Sequence, residues 1–265
     1  MSPGAARVCR RLNHSALFSR EVSLGNRKFR APSADRLLAL WLLRLGLLGQ
    51  DEIRALRRLV LPGQTAVDVG ANQGVFTVLL ADLVGPGGTV LAFEPEPLLF
   101  QSLSENCRTN GIRNVELHNS ALSDRRGRAV LHLPAVHSGD NRLDVPAGRG
   151  PGVEVDVETL DEVLAARPVD LVKIDVQGHE PRVFAGMERT LRQRPAPVLI
   201  FEFWPDGLRQ AGEDPGKALA NFREIGYGLS SIRRDGSLAN LDEDRVAGLR
   251  GHFGFVNIVA RHSAG

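Results

Sequence analysis

Short apolar runs alternate with amphipathic segments along most of this chain, from about residue 63 to residue 260. The main runs that predict β-strands are 65–69, 89–93, 114–118, 170–175, 198–203, 227–232 and 255–259. The segments with helical spacing between them are 75–83, 97–109, 160–166, 180–192 and 215–225. This alternation predicts an α/β fold, a doubly wound, mostly parallel sheet with helices on both faces.

The part of the chain before residue 63 has a different pattern. Residues 1–32 are basic and lack clear periodicity, so we expect a flexible N-terminal arm. Residues 33–62 have helical spacing and predict N-terminal helices, and residues 63–262 form the main domain. The early arginines are not followed by an apolar core at signal-peptide distance, so we expect a cytoplasmic location.

Composition excludes several classes of function. The net charge of +2 is too close to zero to indicate a nucleic-acid partner. No run approaches the ~20 apolar residues that cross a bilayer, so no stable membrane insertion is expected. The two cysteines, Cys9 and Cys107, give neither a disulfide framework nor a metal-site spacing, and no metal is expected. The oligomeric state is not encoded in any pattern found.

A glycine-containing loop follows the first strand of the main domain. Gly70, Ala71, Asn72 and Gly74 lie between that strand and a helix, where backbone can approach a nucleotide-like ligand. Asp68, just before the turn, suits a cationic or hydroxyl-bearing ligand better than a pyrophosphate. The glycine spacing also fits a dinucleotide fingerprint poorly. Taken alone, the loop is equally compatible with a simple tight connection.

Two acidic residues at the ends of later strands strengthen the prediction of a ligand site. Glu94 closes the second strand and can accept hydrogen bonds from both ribose hydroxyls of a nucleoside. Asp175 closes the fourth strand. In a parallel sheet these strand ends share one edge with the glycine loop and the turn at 119–121, so we expect one common cleft.

The segment around Asp175 contains further candidate residues. Lys173 lies in an apolar strand and is either catalytic or part of a structural ion pair. His179 either caps the next helix or acts as an acid or base near neutral pH. Glu202, near the end of the fifth strand, either pairs with a cation such as Lys173 or contacts substrate.

As a set, these motifs resemble the FkbM-type family of class I S-adenosylmethionine-dependent methyltransferases. The resemblance is carried by residues 67–74, 93–95, 119–124 and 171–180, within a region from about 49 to 260. Gln177 departs from the family pattern, which commonly has an acidic residue there. The resemblance implies a seven-stranded Rossmann-like sheet whose last strand is antiparallel.

The same resemblance implies roles for individual residues. The segment Gly70–Gly74 would wrap the methionine part of S-adenosylmethionine, and Glu94 would hold its ribose. Asp68 would lie near the methionine amino group, directly or through water. Ser120 and Ala121 would lie beside the adenine. The acceptor would be a hydroxyl on a small molecule such as a sugar or polyketide.

The expected reaction is an SN2 methyl transfer in which the protein aligns the acceptor, the methyl group and the sulfur. Asp175 or His179 would accept the proton of the hydroxyl. Loops at 137–152 and 208–216 are expected to shape the acceptor pocket. The alternatives are an NAD(P)-dependent oxidoreductase, which the glycine spacing opposes, and an inactive methyltransferase fold that acts as a binding module.

Overall fold

The computed structural model describes residues 21–133, 142–143, 152–193, 195–210, 212–251 and 254–262. The strands are β1 Glu21–Leu24, β2 Arg27–Arg30, β3 Thr65–Val69, β4 Thr89–Phe93, β5 Val115–His118, β6 Ala121–Leu122, β7 Gly127–His132, β8 Arg142–Leu143, β9 Gly152–Glu158, β10 Leu171–Ile174, β11 Val198–Phe203, β12 Tyr227–Ile232, β13 Leu238–Asn240 and β14 Val256–His262.

The helices lie between these strands along the chain. They are α1 Ala34–Arg44, α2 Gln50–Leu59, α3 Val75–Val84, α4 Pro97–Thr109, α5 Leu160–Leu164, α6 Glu180–Ala185, α7 Glu188–Leu191, α8 Pro205–Gln210, α9 Pro215–Glu224 and α10 Glu243–Ala247.

The main sheet has eight strands in the order β13-β12-β14-β11-β10-β3-β4-β5. Strands β11, β10, β3, β4 and β5 run parallel to one another, and β14 lies antiparallel between β11 and β12. The predicted Rossmann-like fold class and the antiparallel last strand are therefore confirmed. Because strand order reverses beside β3, the carboxyl ends of β3 and β10 form the crevice where ligands bind in such sheets.

One strand more than expected is present in this sheet. The polar connection between β12 and β14 contains β13 and α10. Strand β13 pairs antiparallel with the end of β12. Its turn is held by Asp235, whose carboxylate accepts hydrogen bonds from both the backbone and the hydroxyl of Ser237. A three-residue strand at an edge leaves too short a pattern to be recognised in sequence.

The N-terminal arm expected at 1–32 needs correction in its last third. Residues 21–30 form the hairpin β1–β2, which buries Val22 and Phe29. Asn106 of α4 fixes this hairpin, because its Oδ1 accepts a hydrogen bond from the Arg30 amide at 2.8 Å. The expectations for residues 1–20, including Cys9, lie outside the described residues. The hairpin was missed because only alternate residues of two four-residue strands are apolar.

Apolar side chains cover both faces of the main sheet. Val67 and Phe201 pack on the face covered by α6 and α9, while Ala66 and Ile200 pack on the face covered by α2 and α3. Since side chains alternate along a strand, Asp68 and Lys173 share the α2–α3 face. This alternation decides which site candidates reach the ligand edge.

A small second sheet lies beyond β5. It has the order β6-β9-β7-β8, with β6 parallel to β9. The Ser120 hydroxyl donates to Oε2 of Glu158 in β9 at 2.5 Å. This contact fixes the turn after β5 at the same edge as the ends of β3 and β4.

Candidate functional site

The glycine loop after β3 adopts left-handed backbone at three positions. The φ angles are +79° at Gly70, +56° at Asn72 and +89° at Gly74. A Cβ at position 70 would lie 2.1 Å from the carbonyl oxygen of Asp175, and one at position 74 would lie 2.7 Å from Leu103. The glycines are therefore required so that the loop can pack against the end of β10 and against α4.

Hydrogen bonds join this loop to the end of β4. The amides of Gly70 and Ala71 both donate to the carbonyl of Phe93, at 3.0 and 2.9 Å. The amide of Asn72 donates to Oε2 of Glu94 at 2.7 Å. The predicted loop and the predicted ribose carboxylate are thus brought into direct contact.

Glu94 is buried at the base of the cleft, with 5% of its surface exposed. Its Oε1 accepts a hydrogen bond from the Glu96 amide at 2.9 Å. Burial raises the pKa of Glu94 to about 7, although these two backbone hydrogen bonds and the nearby Arg36 oppose the rise. Each carboxylate oxygen has a second lone pair, so Glu94 can still accept hydrogen bonds from a pair of hydroxyls.

A cavity of about 360 Å³ opens above this carboxylate. Its wall combines the loop with the ends of three strands, and six of the predicted site residues line it: Gly70, Asn72, Glu94, Ser120, Ala121 and Asp175. The volume lies within the range of small-molecule sites. The residues thus fit a nucleoside whose ribose contacts Glu94.

A second cavity of about 410 Å³ lies next to the first, between the N-terminal helices and the ends of β10 and β11. Asp175 lines both cavities. Glu52 and Glu202 line the second one, and burial raises their pKa values to about 7 and about 8, respectively. Two carboxyl groups with pKa values near neutrality make this cavity suited to hydroxyl binding and proton transfer.

Gln177 connects the two acidic residues at this edge. Its Nε2 donates to Oδ1 of Asp175 at 2.9 Å and to Oε1 of Glu202 at 3.3 Å. Its backbone is left-handed, with φ of +52°, which is uncommon for a residue with a side chain. The departure from the acidic family pattern at position 177 therefore supplies an amide donor between two carboxylates.

Asp68 is enclosed beneath the glycine loop. It is fully buried, its Oδ2 accepts a hydrogen bond from the Thr77 hydroxyl at 2.6 Å, and it lines neither cavity. Its Oδ1 lies 4.0 Å from the Lys173 ammonium. Asp68 thus faces α3 from inside the sheet, and its contact with the methionine amino group, directly or through water, stays a prediction.

Lys173 is a buried structural cation at the edge of the second cavity. Its ammonium lies 3.7 Å from Asp175 Oδ2 and 4.4 Å from the ring centroid of Phe76. Burial alone would lower the pKa of Lys173, but Asp175 and the other surrounding carboxylates raise it. A lysine that stays protonated cannot act as a base, so the ion-pair interpretation is the one that the geometry favours.

His179 also lies away from both cavities. Its Nε2 is 3.0 Å from the Ser123 hydroxyl, and the residue occupies the position before the first turn of α6. The ring thus contacts the segment after β6, and of the two predicted bases, Asp175 and His179, Asp175 is the one that lines the cavities.

Two residues of the site, Arg36 and Glu52, were not predicted from the sequence. Arg36 lines both cavities and Glu52 lines the second. An arginine on the apolar face of α1, one helical turn before Leu40, is the one signal that was available. Of the loops expected to shape an acceptor pocket, residues 137–141 and 144–151 lie outside the described residues. Leu208 and Asp214 line a separate cavity on the other side of β11.

Among the described residues, no group of three or more His, Cys, Asp or Glu side chains is arranged to hold a metal ion. No helix in the same part of the chain is both long and apolar enough to cross a membrane.

Three curated relatives are similar to this chain. The 31-O-demethyl-FK506 methyltransferase FkbM of Streptomyces tacrolimicus is 31% identical over 159 residues, which cover 48% of this chain and 60% of the relative. The hexuronic acid methyltransferase AglP of Haloferax volcanii is 26% identical, covering 76% and 77%. The 2-O-methyltransferase NoeI of Sinorhizobium fredii is 27% identical, covering 60% and 70%.

The chain thus spans about 60% of the length of the first of these relatives. A family model described as the methyltransferase FkbM domain matches residues 68–229, more than half of the chain. This match includes the glycine loop, Glu94, the turn at Ser120 and Asp175. The resemblance seen in the motifs is confirmed, and the chain belongs to the FkbM methyltransferase family.

Proposed function

We propose that this protein transfers a methyl group from S-adenosylmethionine to a hydroxyl group of a small molecule. The observation that carries the proposal is the hydrogen bond from the Asn72 amide to buried Glu94, which joins the glycine loop to a nucleoside-sized cavity. The names of two relatives specify methylation at oxygen, which supports a hydroxyl acceptor. The near-zero net charge supports a small acceptor rather than a nucleic acid.

The first cavity would hold the nucleoside part of the cofactor. Glu94 would accept hydrogen bonds from the ribose hydroxyls, while Ser120 and Ala121 would lie beside the adenine. The segment Gly70–Gly74 would surround the methionine part. The bound cofactor supplies an electrophilic methyl group on a sulfonium, so the protein's main contribution is alignment and exclusion of water.

The second cavity would hold the acceptor. Asp175 lies where the two cavities meet and would orient the hydroxyl toward the cofactor. The hydroxyl proton would pass to the pair of carboxyl groups formed by Asp175 and Glu202, which Gln177 holds together. A pKa of about 8 at Glu202 matches a base that works near neutral pH.

The cytoplasmic location remains our prediction from the sequence.

Calorimetry with S-adenosylhomocysteine and NADH tests the cofactor. We expect S-adenosylhomocysteine to bind and NADH not to bind. Glu94→Gln should lower the affinity for S-adenosylhomocysteine. Glu105→Gln, at a half-buried position of α4 that lines neither cavity, is the matched control. Binding of NADH in place of S-adenosylhomocysteine would instead establish the oxidoreductase alternative.

The reaction itself requires an acceptor screen. Hydroxylated sugars and macrolides are incubated with methyl-labelled cofactor, and products are identified by mass spectrometry. We expect Asp175→Ala to lower turnover while the affinity for S-adenosylhomocysteine stays within about twofold. Unchanged turnover would refute the role of Asp175. Cofactor binding without any methylated product across the screen would favour the binding-module alternative.

A further inference from the structure

Arg36 is a buried cation at the junction of the two cavities. It lies on α1, has 7% of its surface exposed, and lines both cavities together with Gly70 and Asn72. Its carbonyl accepts a hydrogen bond from Nε2 of Gln73 at 3.4 Å, which joins α1 to the glycine loop. The position of this arginine is therefore coupled to the loop that would surround the cofactor.

Most of the charged side chains that line the second cavity are acidic. They are Asp51, Glu52, Asp175 and Glu202. Among the described residues that line either cavity, the cationic side chains are Arg36 and Lys173. The Lys173 ammonium lies between Asp175 and Asp68, at 3.7 and 4.0 Å. Because these two carboxylates already offset the charge of Lys173, an anionic group that enters this region is attracted most strongly by Arg36.

We propose that Arg36 binds the α-carboxylate at the methionine end of the cofactor. This inference rests on the proposed function. S-adenosylmethionine carries one carboxylate next to one ammonium, and the junction presents one arginine next to an acidic wall. A guanidinium matches a carboxylate with two parallel hydrogen bonds, which a lysine cannot reproduce. The ammonium of the same group then lies toward Glu52.

A structural alternative for Arg36 is compensation of the Glu94 charge, since Arg36 lowers the pKa of that carboxyl against the effect of burial. The two roles differ in what they do to ligands with and without a carboxylate. Loss of charge compensation alters the ribose contact, which all adenosyl ligands share. Loss of a carboxylate partner lowers the affinity only for ligands that carry the carboxylate.

The test compares S-adenosylhomocysteine with its decarboxylated analogue, S-adenosyl-3-thiopropylamine, by calorimetry. We expect the wild-type protein to prefer S-adenosylhomocysteine by about 10- to 100-fold, the range for a charge-assisted hydrogen-bonded pair. Arg36→Gln should remove this preference by weakening S-adenosylhomocysteine alone. Arg36→Lys should recover part of it. Arg44→Gln, an exposed arginine on the same helix, should leave the preference unchanged.

Each result separates this inference from the proposed function. If the wild-type protein binds neither ligand, the proposed function is wrong and the inference falls with it. If the wild-type protein binds both ligands equally, the inference alone is wrong. This result is obtained without any variant, so it does not depend on whether a variant folds. If Arg36→Gln lowers the affinity for both ligands by the same factor, the role of Arg36 is to compensate the charge of Glu94 and the inference is wrong. Circular dichroism melts establish that each variant compared is folded.

Discussion

The ammonium of Lys173 lies 4.0 Å from the carboxylate of Asp68, and both side chains are enclosed beneath the glycine loop. The two residues are direct partners across the β3–β10 pair. One was predicted to be catalytic and the other to bind cofactor. Their contact makes them a support for the loop, because the ion pair fixes the two strands whose ends form the cleft.

Replacement of Lys173 by methionine should therefore destabilise the fold. The change leaves Asp68 buried without its cation, and breaking a buried pair from one side costs about 3–5 kcal/mol. Urea unfolding measures the loss. Lys217→Met, at an exposed position of α9, should change the free energy of unfolding by less than about 0.5 kcal/mol. The double variant Asp68→Asn with Lys173→Met should regain part of the stability, and no recovery would contradict the pairing.

Replacement of Gly70 by alanine should abolish binding of S-adenosylhomocysteine. The new Cβ would lie 2.1 Å from the Asp175 carbonyl, so the loop or the end of β10 must move. Gly63→Ala is the matched control, since Gly63 also has positive φ, +85°, but has open space around it. That variant should lose about 1–2 kcal/mol of stability from the left-handed backbone and keep its ligand affinity. Equal affinities for the two variants would argue against a loop in contact with ligand.

Affinity for S-adenosylhomocysteine should depend on pH through Glu94. Burial raises the pKa of this carboxyl to about 7, so below that pH the free protein holds it protonated. Ribose hydroxyls donate to the ionised form, and affinity should fall by about tenfold per pH unit below 7. Calorimetry at pH 5.5, 7 and 8 measures this fall. Glu94→Gln should flatten it, and a slope that persists in the variant would assign the titration to another group.

Glu202 should make folding stability decrease as pH rises. Its pKa is raised by burial from 4.5 to about 8, so between these values the native state keeps a proton that the unfolded state has lost. The stabilisation is complete below pH 4.5 and disappears as pH rises through 8. Glu202→Gln should therefore be more stable than wild type at pH 8 and similar to it at pH 4.5. Urea unfolding at both pH values is the measurement, with exposed Glu224→Gln as control.

His179→Ala should cost stability without affecting the site. The Ser123–His179 contact of 3.0 Å is lost, which corresponds to about 1 kcal/mol. Ser123→Ala should cost a similar amount, and the double variant should cost no more than either single one if the contact is the cause. Affinity for S-adenosylhomocysteine should stay within about twofold. A large drop in affinity would instead show that His179 contributes to the ligand site.

The sequence by itself determined seven of the eight strands of the main sheet and the position of the glycine loop at its edge. The apolar runs gave the strands of the main sheet, and the turn-forming residues from Gly70 to Gly74 gave the connection at its crevice. Glu94 was identifiable because it ends a strand in the same β-α-β unit as the loop. All of these signals are local, since strand periodicity, glycine and a strand-terminal acid act within a few residues of one another.

Tertiary structure alone decided which charged side chains face the ligand. Asp68 and Lys173 lie inside strands, so side-chain alternation turns them toward α3, whereas Asp175 lies just past a strand end and reaches both cavities. Arg36 and Glu52 come from helices that precede the sheet in the chain. Their place at the cleft depends on how those helices pack across the finished sheet edge, and no local pattern of residues encodes that packing.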